Sequence, residues 1–291
     1  MKFPNLWLGK NKKVKIGLAL GGGGARGFVH LGAIKAFMEY GLQFDLVAGT
    51  SAGALVGAFY CAGLPWSKLI DLARELNMKD VRTSPVPFLT SKTDGIEKII
   101  IDLLGNIGIQ ELKSKFVAVA TDLISTKECV ITKGDLAKAV AGSCCVPYVF
   151  YPVVFDDKHL VDGGLHNTIP ADIPKLFGCD YVVAIDANKS RTYGTTSMKL
   201  VNVVTASFRI LMENNARKGY KYADVMLQPE TKSFRSTKKE GFEEMIEEGY
   251  REAIDKMPEI IKLFNQKPKS NRFQKHFEAE FAKDEKSVTI I

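Results

Sequence analysis

Phe44-Asp45-Leu46-Val47-Ala48-Gly49-Thr50-Ser51-Ala52-Gly53 is the stretch on which the reading of this chain turns. Its first half is a short apolar run of the kind that fills a buried strand. Its second half is a G-x-S-x-G turn, and a small-residue helical pattern follows over residues 51–62. Strand, sharp turn and helix in that order can present a serine oxygen as a nucleophile. The plainer alternative is a serine that caps a helix start.

Working outward, residues 14–20 form a second apolar run that ends in the cluster Gly21-Gly22-Gly23-Gly24. Over residues 26–40, Val29, Ala33, Phe37 and Tyr40 recur at helical spacing, and Gly41 closes the segment. Strand, helix, strand, helix predicts the α/β class, with a mostly parallel sheet covered by helices on both faces. Residues 64–77, 94–104, 198–220 and 242–257 read as helices. Residues 116–121 and 129–132 read as neighbouring strands or a hairpin, and 181–186 and 225–227 as further strands. Loops are expected at 81–93, 188–197 and 230–240. The resulting division is a basic, aromatic N-terminal segment (1–13), an α/β domain (14–265) and a charged C-terminal helix or tail (266–291).

With 291 residues and 46% hydrophobic content, the chain can bury a substantial core. Its formal charge of +7 favours anionic surfaces without choosing between membrane and nucleic acid. The five cysteines include no C-x-x-C pair, which argues against a zinc site or a disulfide framework and for a reduced, cytoplasmic setting. Residues 46–66 carry no charge and approach the roughly 20 residues of a membrane span. Their glycines, with Pro65, favour a strand, an elbow and a buried helix instead.

A serine hydroxyl needs a base and a place for oxyanion charge. Gly21-Gly22-Gly23-Gly24-Ala25-Arg26-Gly27 contains G-x-G-x-x-G between a strand and a helix, so a dinucleotide turn is one reading. That fold also wants a carboxylate at the end of the next strand, where this chain has Ala48-Gly49-Thr50-Ser51. The better reading gives the amides of Gly22, Gly23 and Gly24 to an oxyanion hole, with Arg26 anchoring the loop. For the base, the order Ser51, Asp162, His166 matches a triad, but Gly163 and Gly164 make a tight turn with no helical alignment. A direct Ser51–Asp162 dyad is simpler. It requires that desolvation raise a carboxyl whose ordinary pKa is about 3.9. His30, inside the first helix, reads as a packing or surface residue.

These segments together resemble the patatin-like phospholipase family, particularly its bacterial members. Gly22 to Gly27 looks like the family's oxyanion loop, Gly49-Thr50-Ser51-Ala52-Gly53 its nucleophile elbow, and Asp162-Gly163-Gly164 its catalytic aspartate turn. Val119-Ala120-Thr121-Asp122-Leu123, Gly142-Ser143-Cys144-Cys145-Val146-Pro147 and Asn167-Thr168-Ile169-Pro170 keep the expected order. Cys144-Cys145 departs from the small or apolar residues usual there. The resemblance covers residues 13–187. It implies a three-layer α/β sandwich and acyl-ester hydrolysis of lipids by Ser51 and Asp162, with no catalytic histidine, metal, nucleotide or other cofactor. The partner so implied is a lipid substrate, not nucleic acid. Residues 1–15 carry five lysines among Phe3, Leu6, Trp7 and Leu8, which suits peripheral contact with an anionic membrane. A catalytically silent lipid- or nucleotide-binding protein that uses the glycine loop is the competing reading.

Overall fold

The computed structural model describes residues 14–75, 93–189, 198–234, 240–269 and 288–291. The apolar runs become β1 (Ile16–Leu20), β2 (Leu46–Thr50), β3 (Phe116–Asp122), β4 (Lys127–Ile131), β5 (Val153–Phe155), β6 (Lys158–Asp162), β7 (Tyr181–Ile185), β8 (Val225–Leu227) and β9 (Val288–Ile290). The helices are α1 (Phe28–Glu39), α2 (Ala52–Cys61), α3 (Trp66–Glu75), α4 (Asp94–Leu104), α5 (Leu136–Ser143), α6 (Asp172–Leu176), α7 (Leu200–Tyr222) and α8 (Phe242–Phe264).

Among the described residues, these nine strands join one sheet. Its centre is parallel, as the strand–helix alternation predicts: β2 and β7 flank β1, β3 follows β2, and β8 follows β7. The sheet is nonetheless mixed, because β3 pairs antiparallel with β4 and β6, and β5 with β6. Side chains alternate across it. Ile16, Leu18 and Leu20 enter one apolar layer with α1, α2 and α8, whereas Ala19 enters the other beside Ala216 of α7. Ile173 of α6 packs in that second layer with Leu46 and Ala48. The result is the three-layer arrangement implied by the resemblance.

The helices α1 and α8 cross closely because each supplies a glycine at the contact. A Cβ on Gly32 would lie 1.8 Å from the Ile246 carbonyl, and one on Gly249 would lie 1.9 Å from that of Val29.

The register of β3 positions the site. Its residues 118–122 pair with β4, 116–119 with β2, and 120–122 with β6. A strand has only two edges and β4 overlaps both other partners, so β2 and β6 lie end to end along the same edge. Val119 faces Thr50, the last residue of β2, and the next residue, Ala120, faces Asp162, the last of β6. Ser51 and Asp162 therefore arrive at one point from opposite directions.

Several expectations need correction. Residues 153–162 form the β5–β6 hairpin, which sequence reasoning left without structure. Helix α8 continues past Met257 and Pro258, because Met257, Ile260 and Leu263 are all buried and this packing outweighs the hydrogen bond a proline cannot donate. Of the expected C-terminal helix or tail, residues 270–287 lie outside the described residues, and Val288–Ile290 forms β9, which pairs with β4. The basic segment 1–13, residues 81–92 of the first loop, and residues 190–197 and 235–239 of the others lie outside the described residues.

Candidate active site

Ser51 follows β2 with φ +53°, a left-handed conformation that is costly for a residue with a side chain. Neighbouring groups hold it there. Its N–H donates to Ser143 Oγ at 2.9 Å, and that hydroxyl donates to the Val119 carbonyl at 2.6 Å. The Cys144 thiol donates to the Ser51 carbonyl at 3.1 Å, and Thr50 Oγ1 to the Asn167 carbonyl at 2.8 Å. The elbow also needs its glycines. A Cβ on Gly53 would lie 2.0 Å from the Leu20 carbonyl, and one on Gly49 would lie 2.5 Å from that of Gly53. The Ser51 side chain makes no capping hydrogen bond to α2, so the capping alternative fails.

Asp162 is fully buried at the end of β6. Its N–H donates to the Cys145 carbonyl, and its Oδ1 accepts from the Gly164 N–H at 2.8 Å. A Cβ on Gly163 would lie 2.2 Å from the Val119 carbonyl, which explains the glycine that follows the aspartate. Burial pushes the Asp162 carboxyl from 3.8 to about 6, against smaller opposing effects of the Gly164 amide and the Ser51 hydroxyl. The Ser51 hydroxyl is thus close enough to be felt by the carboxyl. Its Oδ2 has no hydrogen-bond partner.

The glycine loop closes a third side. A Cβ on Gly22 would lie 3.3 Å from Ser51 Cβ, so this backbone packs directly on the elbow. Gly22 N–H is already committed to the Thr168 carbonyl at 2.9 Å, so the expected three glycine donors narrow to Gly23 and Gly24. Among the described residues, no backbone acceptor takes the N–H of either. His30 Nε2 is 2.7 Å from the Gly21 carbonyl, and burial depresses its pKa to about 4, so the ring is neutral and donates there. His30 is thus a packing residue that supports the loop. Arg26 is buried beside it. Desolvation and Arg209 lower its pKa to about 10 while Asp186 opposes them, so it stays charged within the loop's support. Gly27 sits against Ala52 at the start of α2.

His166 does not join Ser51 and Asp162 in a triad-like chain. Its Nδ1 is 3.0 Å from Thr121 Oγ1, and burial with the nearby Lys218 depresses its pKa. The aspartate turn is held from behind by α7. Asn215 Nδ2 donates to the carbonyls of Gly164 and Leu165, and Thr168 Oγ1 donates to that of Met212. Lys218 bridges the buried carboxylates of Glu128 and Asp172, to which Asn167 Nδ2 also donates. Sequence reasoning noted Ser143 and Asn167 only within flanking stretches and missed Met212, Asn215 and Lys218. Asn215 and Lys218 sit within the polar run Glu213-Asn214-Asn215-Ala216-Arg217-Lys218, where nothing local marks which side chains turn inward.

No cluster of three or more metal-ligating side chains occurs among the described residues. No helix among them is long and apolar enough to cross a membrane, and the charge-free stretch becomes β2, the elbow and α2. A shallow cleft of about 250 Å³ is lined by Leu46, Phe116 and Lys113. It lies at the amino ends of β2 and β3, a strand's length from Ser51, and we assign it no part in the chemistry.

Comparison with known proteins bears on the family and the fold. The family model described as Patatin-like phospholipase matches residues 18–175. Neuropathy target esterase sws of Drosophila melanogaster is 34% identical over 191 residues, covering 62% of this chain and 13% of that protein. An uncharacterized NTE family protein of Mycobacterium bovis is 33% identical over 181 residues, covering 60% of this chain and 50% of its own. The chain therefore spans half or less of the length of these relatives. VipD from Legionella pneumophila shares the fold with a TM-score of 0.50 at 15% identity, covering 87% of this chain and 67% of that one.

Proposed function

Because the chain belongs to the patatin-like phospholipase family, we propose that it is a lipid acyl hydrolase working through a Ser51–Asp162 dyad. One observation supports the reading: a fully buried carboxyl, raised to about 6 and left with an unpartnered oxygen, lies close enough to feel the hydroxyl of a serine on a strained elbow. At neutral pH most of that carboxyl is ionised, yet it binds a proton far more readily than an exposed aspartate. That is the compromise a general base requires.

In this mechanism Asp162 Oδ2 takes the Ser51 proton as Oγ attacks the ester carbonyl. The N–H groups of Gly23 and Gly24 receive the charge that develops on the carbonyl oxygen, assisted by the amino end of α2. The tetrahedral intermediate collapses with cleavage of the ester C–O bond, and Asp162 returns the proton to the departing alcohol. Water, deprotonated by Asp162, then attacks the acyl-serine, and the fatty acid leaves as Ser51 recovers its proton. The substrates are fatty-acyl esters of the phospholipid or lysophospholipid kind, and neither metal nor nucleotide takes part.

The test is hydrolysis of a chromogenic fatty ester together with labelling by a fluorophosphonate probe. Wild type should turn over and label, and Ser51→Ala should do neither. Equal rates in the two proteins would reject Ser51 as the nucleophile.

A further inference from the structure

We propose that the outward face of the first half of α7 is a docking surface for an anionic phospholipid bilayer. A helix packed on a sheet normally turns polar residues to solvent. Here Leu200, Val203, Ile210 and Leu211 are exposed, Leu200 at 69% and Ile210 at 51%, with Met198 exposed just before them. At helical spacing these four fall on one stripe. The opposite stripe, Met212, Ala216 and Gly219, is the buried one. An apolar row that faces away from its own core marks a surface made for contact.

Charge selects the occupant. Lys199, Arg217 and Lys221 are exposed along the flank of the stripe, and Glu213 is the acid beside them. Arg209 falls on the other side of the helix, close enough to act on the buried Arg26. Lys218 is engaged inward with Glu128 and Asp172. Apolar side chains flanked by bases fit the boundary between acyl chains and anionic headgroups. Two copies apposed on this face would bring like charges together, which disfavours a homodimer. Met212 on the opposite, buried stripe has its methyl 3.3 Å from a Cβ built on Gly22, beside Ser51, so the helix carries the docking stripe on one side and backs the proposed site on the other. Use of that bilayer as a source of substrate rests on the hydrolase reading, but the docking does not.

The experiment is co-sedimentation of the full chain with phosphatidylcholine vesicles, with and without phosphatidylserine, in a Ser51→Ala background so that turnover plays no part. Ser51→Ala protein should bind the anionic vesicles more strongly than the neutral ones. Adding Leu200→Ser, Val203→Ser and Ile210→Ser together should weaken that binding at least about tenfold, as removal of three inserted side chains demands. The same three changes in the active protein should leave its melting temperature and its rate on a short-chain soluble ester unaltered. Equal binding with and without the three changes overturns the proposal, as does failure of the parent to bind. A dimer in light scattering that the three changes dissolve, without vesicle binding, gives the face to a second copy and overturns it too. If no ester is cleaved but the vesicle result holds, the hydrolase reading falls and the docking surface stands.

Discussion

Replacing Asp162 with asparagine should stabilise the protein while removing its activity, and the size of the gain should depend on pH in a fixed way. Burial lifts the carboxyl from 3.8 to about 6. At about 1.4 kcal/mol for each pH unit, the ionised group is therefore about 3 kcal/mol less favourable in the folded protein than in the unfolded chain. The sign follows from proton binding: between the two pKa values the folded state holds the proton and the unfolded state has lost it. Stability is thus intact below pH 3.8 and drains away as pH rises through about 6. The neutral amide of the variant carries no such penalty and can still accept the Gly164 N–H. Urea unfolding of wild type and Asp162→Asn should show the variant ahead by about 3 kcal/mol at pH 8, by about half that at pH 5, and by little at pH 4. A variant that is less stable at pH 8, or a gap that ignores pH, would refute the account of this carboxyl as a desolvated base.

Two further outcomes separate the dyad from its alternatives and test its support. His166→Ala should keep activity within about tenfold of wild type, where loss of a true triad base costs on the order of 10⁴-fold or more; ester hydrolysis rates read this directly. Ser143→Ala strips the buried Ser51 N–H of its acceptor and should cost about 1–3 kcal/mol in denaturant melts. The same change should lower kcat more than it alters KM, because the elbow would no longer be fixed.

Much of this architecture was legible because its signals are local. The runs at 14–20 and 44–50 end in glycines, and those glycines sit where a Cβ would strike a carbonyl, so the pattern and its cause lie within a few residues. Asp162 was legible for the same reason, through the glycine that must follow it. The parts that escaped are those whose meaning depends on partners elsewhere. Lys158–Asp162 begins with polar residues and becomes a strand only because β3 has a free edge beyond β2. Ser143 looks like an ordinary small residue at a helix end until its hydroxyl is seen between Ser51 and Val119. The commitment of the Gly22 amide to Thr168 was equally hidden, since no pattern within the glycine cluster reveals an acceptor far along the chain.

Because β2 and β6 meet head to head on a shared neighbour, β3 acts as the ruler that spaces Ser51 from Asp162. The long stretches of polypeptide between Ser51 and β3, and between β3 and Asp162, can grow or shrink with little effect on that spacing, provided the strands keep their partners. One residue added or removed inside β3 itself would shift hydroxyl and carboxyl apart by a full step of the strand, roughly 3.3 Å. Variation in length should therefore be tolerated almost anywhere in the surrounding loops and refused between Val119 and Ala120.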